Sequence, residues 1–187
     1  QEFFKLRFEV TPDVLIPRPE TEIIVEAALT LADCERSLSI LDVGTGSGCI
    51  VVSLLNELKS AHATATDISS KALEVARRNA QRHNVSDRLT LIQADSLSPL
   101  NQSETFSVIV SNPPYIPAGD IATLQREVRD YEPLTALESG ADGLDHIRAL
   151  LHETPRLVEH NGHFIFEIGF GQSDAIEQLV DRAVWRL

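Results

Sequence analysis

The chain has 187 residues, 43 % hydrophobic and 24 % charged, a balance that suits one globular domain with a full core and excludes disordered and fibrous classes. Its 28 acidic and 16 basic residues give a net charge of −12, which disfavours nucleic acid as a substrate because little material remains for a basic patch. No apolar run approaches the ~20 residues of a membrane span. Cys34 and Cys49 are too few for a disulfide framework and lack ligand spacing, so a reducing, cytoplasmic setting without a metal site is expected.

From the N-terminus, the alternation of Phe4, Leu6, Phe8 and Val10 predicts a short strand within a covering segment, residues 1–16. Ile16-Pro17-Arg18-Pro19-Glu20-Thr21-Glu22 follows. Pro19 suits a first helical turn, where Glu20 and Glu22 complement the helix dipole. Apolar residues at 23, 24, 27, 28 and 31 mark one face of that helix. Arg18 at its positive end is better explained by a nearby anion, such as a cofactor carboxylate.

Leu38–Val43 is an apolar strand leading into Asp42-Val43-Gly44-Thr45-Gly46-Ser47-Gly48 and a helix with Ile50, Val51, Leu54, Leu55 and Leu58 buried. Strand, glycine-rich turn and helix form the layout of a nucleotide-binding crossover, in which backbone approaches the ligand closely. Gly44, Thr45, Gly46, Ser47 and Gly48 are therefore cofactor candidates. The dinucleotide fingerprint would require a small residue where Cys49 stands, which disfavours a dehydrogenase. His62–Thr66 forms the next strand and ends at Asp67, placed to accept from ribose hydroxyls. Ser69 and Ser70 can cap a helix whose Leu73, Ala76 and Ala80 face inward. The third strand, Leu89–Ile92, leads to Asp95 and Ser96, a second acidic edge suited to an adenine amino group.

Val108-Ile109-Val110 is a buried strand stopped by Ser111-Asn112-Pro113-Pro114-Tyr115. Pro113 keeps Asn112 extended at the carboxyl edge, where open α/β sheets bind ligands. The Asn112 side-chain oxygen and the Pro113 carbonyl are paired acceptors suited to a planar –NH2 group, and Tyr115 can lay its ring against that group. Residues 116–145 lack a long apolar period and are expected to be a substrate-facing loop. A helix burying Ile147, Leu150, Leu151 and Val158, a fifth strand at Gly162–Ile168, and a last helix burying Ile176, Leu179, Val180 and Ala183 follow. The fold class expected is α/β, a mostly parallel Rossmann-like sheet with helices on both faces. Other constellations fail: His152-Glu153 lacks the second histidine of a zinc motif, and no Walker lysine or nucleophile elbow is present.

With these motifs placed, the chain resembles the class I S-adenosylmethionine-dependent methyltransferases. More narrowly, it is similar to the protein-(glutamine-N5) methyltransferases of peptide-chain release factors. The resemblance rests on Ile16–Glu22, Asp42–Gly48 and Asn112–Tyr115, with Tyr131–Leu137 and Asp142-Gly143-Leu144 in agreement. It implies S-adenosyl-L-methionine as cofactor, S-adenosyl-L-homocysteine as product, and class I release factors as partners. The methyl group would go to the glutamine of a Gly-Gly-Gln motif, held by Asn112, Pro113, Pro114 and Tyr115. A monomer is expected. The family's N-terminal helical domain and its closing antiparallel strands have no counterpart here, so truncation at both ends is expected. Adenine-N6 or other nucleic-acid amino methylation, methylation of a ribosomal-protein glutamine, and a non-catalytic adenosyl-binding module are the alternatives.

Overall fold

The computed structural model describes residues 1–31, 37–95, 97, 99–101 and 104–187. Five parallel strands form the central sheet in the order β5-β4-β3-β6-β7: β3 (Ser39–Val43), β4 (His62–Asp67), β5 (Leu89–Gln93), β6 (Phe106–Ser111) and β7 (Val158–Phe166). Val43 pairs with both Thr66 and Ser111, which aligns the carboxyl ends of the three middle strands. The chain runs from β3 to β4 to β5 on one side and returns to β6 and β7 on the other. The switch point, where the crossovers diverge and leave a crevice, therefore falls between β3 and β6.

Both faces of the sheet are covered, and β6 near its centre carries the apolar run Val108-Ile109-Val110. Ile40, Val108 and Val110 point into one core with α1 (Glu22–Leu31) and α2 (Cys49–Glu57), while Leu41 and Ile109 point into the other with Leu150 of α5 (Asp145–Glu153). α3 (Ser70–Arg82) joins the first face through Ala80, and α6 (Ser173–Leu179) joins the second through Ile176. Residues Cys49–Leu55 of α2 are buried all round because this helix lies between α1, α3 and the sheet.

Several local expectations change. The N-terminal strand is instead a small hairpin, β1 (Glu2–Phe3) and β2 (Leu6–Arg7), whose turn residues Phe4 and Lys5 have φ 46° and 61°. The turn breaks the alternation, so Phe3 and Phe8 enter the core and Phe4 and Leu6 only flank it. In α1 the buried residues are Ile24, Val25 and Ala28, whereas Ile23 is 65 % exposed. A 3-10 turn at Pro19–Thr21 precedes this helix and sets its rotation. The helix expected to bury Val158 ends at Glu153, and Val158 instead opens β7, which therefore begins earlier than expected and contains Gly162. Ala183 is exposed beyond α6.

Residues 116–144 are not structureless. They contain α4 (Arg126–Arg129) and 3-10 turns at Ala118–Thr123 and Leu134–Ala136. A parallel bridge between Ile116 and Glu138 ties the two ends of the excursion together. Gly143 is required here: its φ is +77°, and a Cβ would collide with the Tyr115 carbonyl and the Gln172 side chain.

Candidate active site

At the switch point, the loop after β3 and the loop after β6 share one cavity of about 220 Å³. Gly44, Thr45, Gly46 and Ser47 line it, together with Asp67, Asp95, Asn112, Pro113 and Pro114. Gly48 is the exception among the glycine-loop candidates. It does not line the cavity; a Cβ there would meet Ala76 at 3.1 Å, so its role is the close packing of α2 on α3. The expectation for Ser96 lies outside the described residues. Tyr115 lines a second, adjoining cavity of about 90 Å³ with Arg18, Ile116, Val128 and Leu137. Asn112 and Pro113 line both cavities.

The glycine loop is held on three sides. The amides of Gly44 and Thr45 donate to the Thr66 carbonyl at 2.9 Å each. Gly46 N–H donates to Asp67 Oδ2 at 2.8 Å, and Ser69 N–H donates to Oδ1 at 2.9 Å. Each Asp67 oxygen thus keeps a lone pair for a ligand, and the carboxylate cannot swing away. Its pKa is raised, chiefly by burial, and the two backbone donors oppose that shift. The third hold comes from α3: Asn79, fully buried, accepts from Glu9 N–H and donates to the carbonyls of Glu9 and Ser47. One side chain thereby fastens the N-terminal segment and the glycine loop to the same helix.

Beneath the loop, Asp42 is fully buried and accepts from Thr45 Oγ1 at 2.7 Å, while its other oxygen has no partner among the described residues. Burial pushes its pKa up to about 7, opposed by the Thr45 hydrogen bond and reinforced by the charge of Asp67. Ser47, a residue bordering the cavity, has a buried Oγ with no hydrogen-bond partner among the described residues.

On the opposite wall, Asn112 Nδ2 donates to Thr21 Oγ1 at 3.0 Å, and Thr21 Oγ1 donates to Glu167 Oε2 at 2.6 Å. Tyr115 donates its hydroxyl proton to Glu167 Oε1 at 3.1 Å. Burial, and then the neighbouring Glu167, push the Tyr115 pKa up to about 12. No hydrogen bond among the described residues takes up Asn112 Oδ1 or the Pro113 carbonyl. Among the described residues, the two acceptors expected from the sequence therefore have no partner.

Arg18 is not left for an external anion. It pairs with Glu132, whose side chain is only 2 % exposed. This joins the segment before α1 to the excursion after β6 and walls the smaller cavity. Sequence reasoning missed Asp13, Val14, Leu15 and Thr21 on one side of the larger cavity and His146 and Glu153 on the other. It also missed Glu167. A usable signal existed only for Glu167, an acidic residue directly after a strand and so at the same sheet edge as Asp67.

Residues 21–128 match the family model described as "Methyltransferase small domain". A protein named release factor glutamine methyltransferase from Geobacter sulfurreducens is 44 % identical over 182 residues, covering 97 % of this chain and 62 % of that protein. One of the same name from Moorella thermoacetica is 46 % identical over 184 residues, covering 98 % and 64 %. The chain thus spans a little under two thirds of the length of the curated relatives it matches. Among solved structures, a ribosomal protein L11 methylase from Lactobacillus delbrueckii subsp. bulgaricus superposes with a TM-score of 0.61 at 23 % identity, covering 87 % of this chain and 67 % of that one. The model match spans most of the sheet, the glycine loop and Asn112–Tyr115, and it shows that the chain belongs to the methyltransferase small domain family.

Proposed function

We propose that the protein transfers a methyl group from S-adenosyl-L-methionine to the side-chain nitrogen of a glutamine in a peptide-chain release factor. The observation that carries this reading is the position of Asn112 and Pro113, which line the larger and the smaller cavity at once. A donor in one and an acceptor nitrogen in the other would meet at that pair.

The larger cavity fits the cofactor. The buried Ser47 hydroxyl, without a hydrogen-bond partner among the described residues, is a polar atom that a ligand in this cavity could satisfy. Asp67 and Asp95 at successive strand ends suit the ribose hydroxyls and the adenine amine, and the cavity backbone at Gly44–Ser47 suits the amino-acid part. When bound, the cofactor supplies an electrophilic methyl group.

The chain's own residues do the rest by positioning. An amide nitrogen is a poor nucleophile because its lone pair is delocalised into the carbonyl. Asn112 Oδ1 and the Pro113 carbonyl accept both of its N–H bonds, raise the electron density on nitrogen and fix its direction. Such alignment contributes several kcal/mol to a barrier, and oriented acceptors stabilise the positive charge that develops on nitrogen. The Tyr115 ring, held by its hydroxyl on Glu167, forms the wall against which a planar amide lies. The proton leaves to water after transfer.

The relatives' name supports the release factor as substrate, and the free acceptor pair supports an amide or amine over a hydroxyl. We assign residues 1–187 to one catalytic unit acting as a monomer in the cytoplasm, where release factors work. No helix among the described residues is long and apolar enough to cross a membrane. Mass spectrometry of release factor peptides after incubation with the protein and S-adenosylmethionine tests the proposal. One added methyl on the Gly-Gly-Gln glutamine is the expected result. Methylation of a ribosomal protein or of adenine instead would overturn the substrate assignment.

A further inference from the structure

We propose that Thr21 and Glu167 are positioning residues that fix which end of the Asn112 carboxamide is presented to the substrate. The inference rests on the methyl-transfer reading of the site. An asparagine side chain can turn over at little steric cost, exchanging its oxygen and its –NH2. Only one of the two orientations places an acceptor where an amide nitrogen must be held.

The hydrogen bonds choose between them. A carboxylate only accepts, so the Thr21 hydroxyl spends its single proton on Glu167 Oε2 at 2.6 Å. Having no second proton, Thr21 Oγ1 can only accept from Asn112 at 3.0 Å. Asn112 must therefore offer its –NH2 to Thr21, which leaves Oδ1 for the substrate. The reversed carboxamide would set two oxygens with no proton between them.

The relay is placed to hold this polarity. Thr21 is buried, 2 % exposed, in the 3-10 turn before α1, so bulk water does not supply an alternative partner. Glu167 directly follows β7, and its amide donates to the Ser111 carbonyl at 3.1 Å, which anchors it beside the residue preceding Asn112. The other Glu167 oxygen takes the Tyr115 hydroxyl. One carboxylate thus orients both the acceptor amide and the aromatic wall.

The test uses Thr21→Val, which removes the hydroxyl at nearly constant shape, Thr21→Ser, which keeps it, and Glu167→Gln, which replaces one of the two carboxylate acceptors with a proton donor. The side-chain –NH2 resonances of Asn112, assigned by their loss in Asn112→Ala, report the bond to Thr21 in the free protein. Thr21→Val is expected to shift them and speed their exchange with water, and Thr21→Ser to restore them. In release factor methylation, Thr21→Val should lower kcat roughly 10- to 100-fold, a larger effect than any on cofactor affinity, although Thr21 also lines the larger cavity. Glu167→Gln should lower kcat likewise and bring the Tyr115 hydroxyl down from about 12. Added to Asn112→Ala, Thr21→Val should cost nothing further. Unmoved Asn112 resonances in Thr21→Val, or an equal loss of rate with and without Asn112, would overturn the proposal. If the native protein methylates no release factor, the functional reading fails, while the resonances still decide whether the relay fixes the amide.

Discussion

Asn112 and Asp67 line the same cavity, and the proposed reaction gives them separable tasks. Asn112 Oδ1 has no hydrogen-bond partner among the described residues and is proposed to hold the reacting nitrogen, so Asn112→Ala should reduce turnover at least about 100-fold. Its cofactor affinity should change much less, as measured by titration calorimetry beside steady-state rates. Asp67 does the reverse. Its carboxylate is pinned by the amides of Gly46 and Ser69, so Asp67→Ala removes the proposed ligand acceptor and also one of the three holds on the glycine loop. A charge-assisted hydrogen bond contributes ~1.5–3 kcal/mol, which predicts cofactor binding weakened by roughly tenfold or more. An Asp67→Ala protein that binds cofactor normally would exclude this carboxylate from the site.

Between elements, polar side chains rather than apolar area set the shape of the site. Asn79 is the clearest case: it sits in the buried face of α3 among Leu73, Ala76 and Ala80, with all its polar atoms paired. Asn79→Ala would leave an amide and two carbonyls unpaired, one of them from Ser47 in the glycine loop. Each unsatisfied buried group costs ~1–3 kcal/mol. We therefore expect a urea midpoint shifted to lower concentration and, because the loop loses its tie, weaker cofactor binding in the folded fraction. The Arg18–Glu132 pair joins two further segments over the smaller cavity. It also explains why Arg18 stood out at a helix start: its partner lies more than a hundred residues away.

For the whole molecule, the buried Asp42 imposes a pH dependence on stability. Its folded pKa is raised from 3.8 to about 7, so between these values the native state holds more protons than the unfolded chain. Stability is then greatest at the acidic side of this window and is lost as pH rises through it. The shift corresponds to a cost on the order of 4 kcal/mol above the window. Asp42→Asn keeps a carbonyl oxygen for Thr45 and removes that slope. Melting of the two proteins at pH 5 and pH 8 should show the variant gaining on the native chain at the higher pH; a constant difference would contradict the burial argument.

At this scale, the division between sequence and structure is plain. The five strands of the sheet, the glycine loop and the proline-stopped strand at Asn112 were legible, because apolar runs, glycines and prolines act through local sterics and hydrophobic burial. Asp67, Asp95, Asn112 and Tyr115 could be placed at the sheet edge for the same reason, as strand-end positions fix the edge before any contact is known. The N-terminal hairpin was not legible. Its Phe4-Lys5 turn uses left-handed backbone without glycine, and burial of Phe3 and Phe8 in the main core stabilises it. Nor could sequence alone turn Gly48 away from the cavity, pair Arg18 with Glu132, or connect Asn112 through Thr21 to Glu167. Those assignments depend on which side chains meet across long sequence separation, and a hydrogen bond carries direction only once both partners are in place. The residues therefore determined by themselves the architecture and the ends of the strands that carry the chemistry. Tertiary packing decided how each polar group is oriented there, because a buried donor or acceptor must take whichever partner the fold brings within reach.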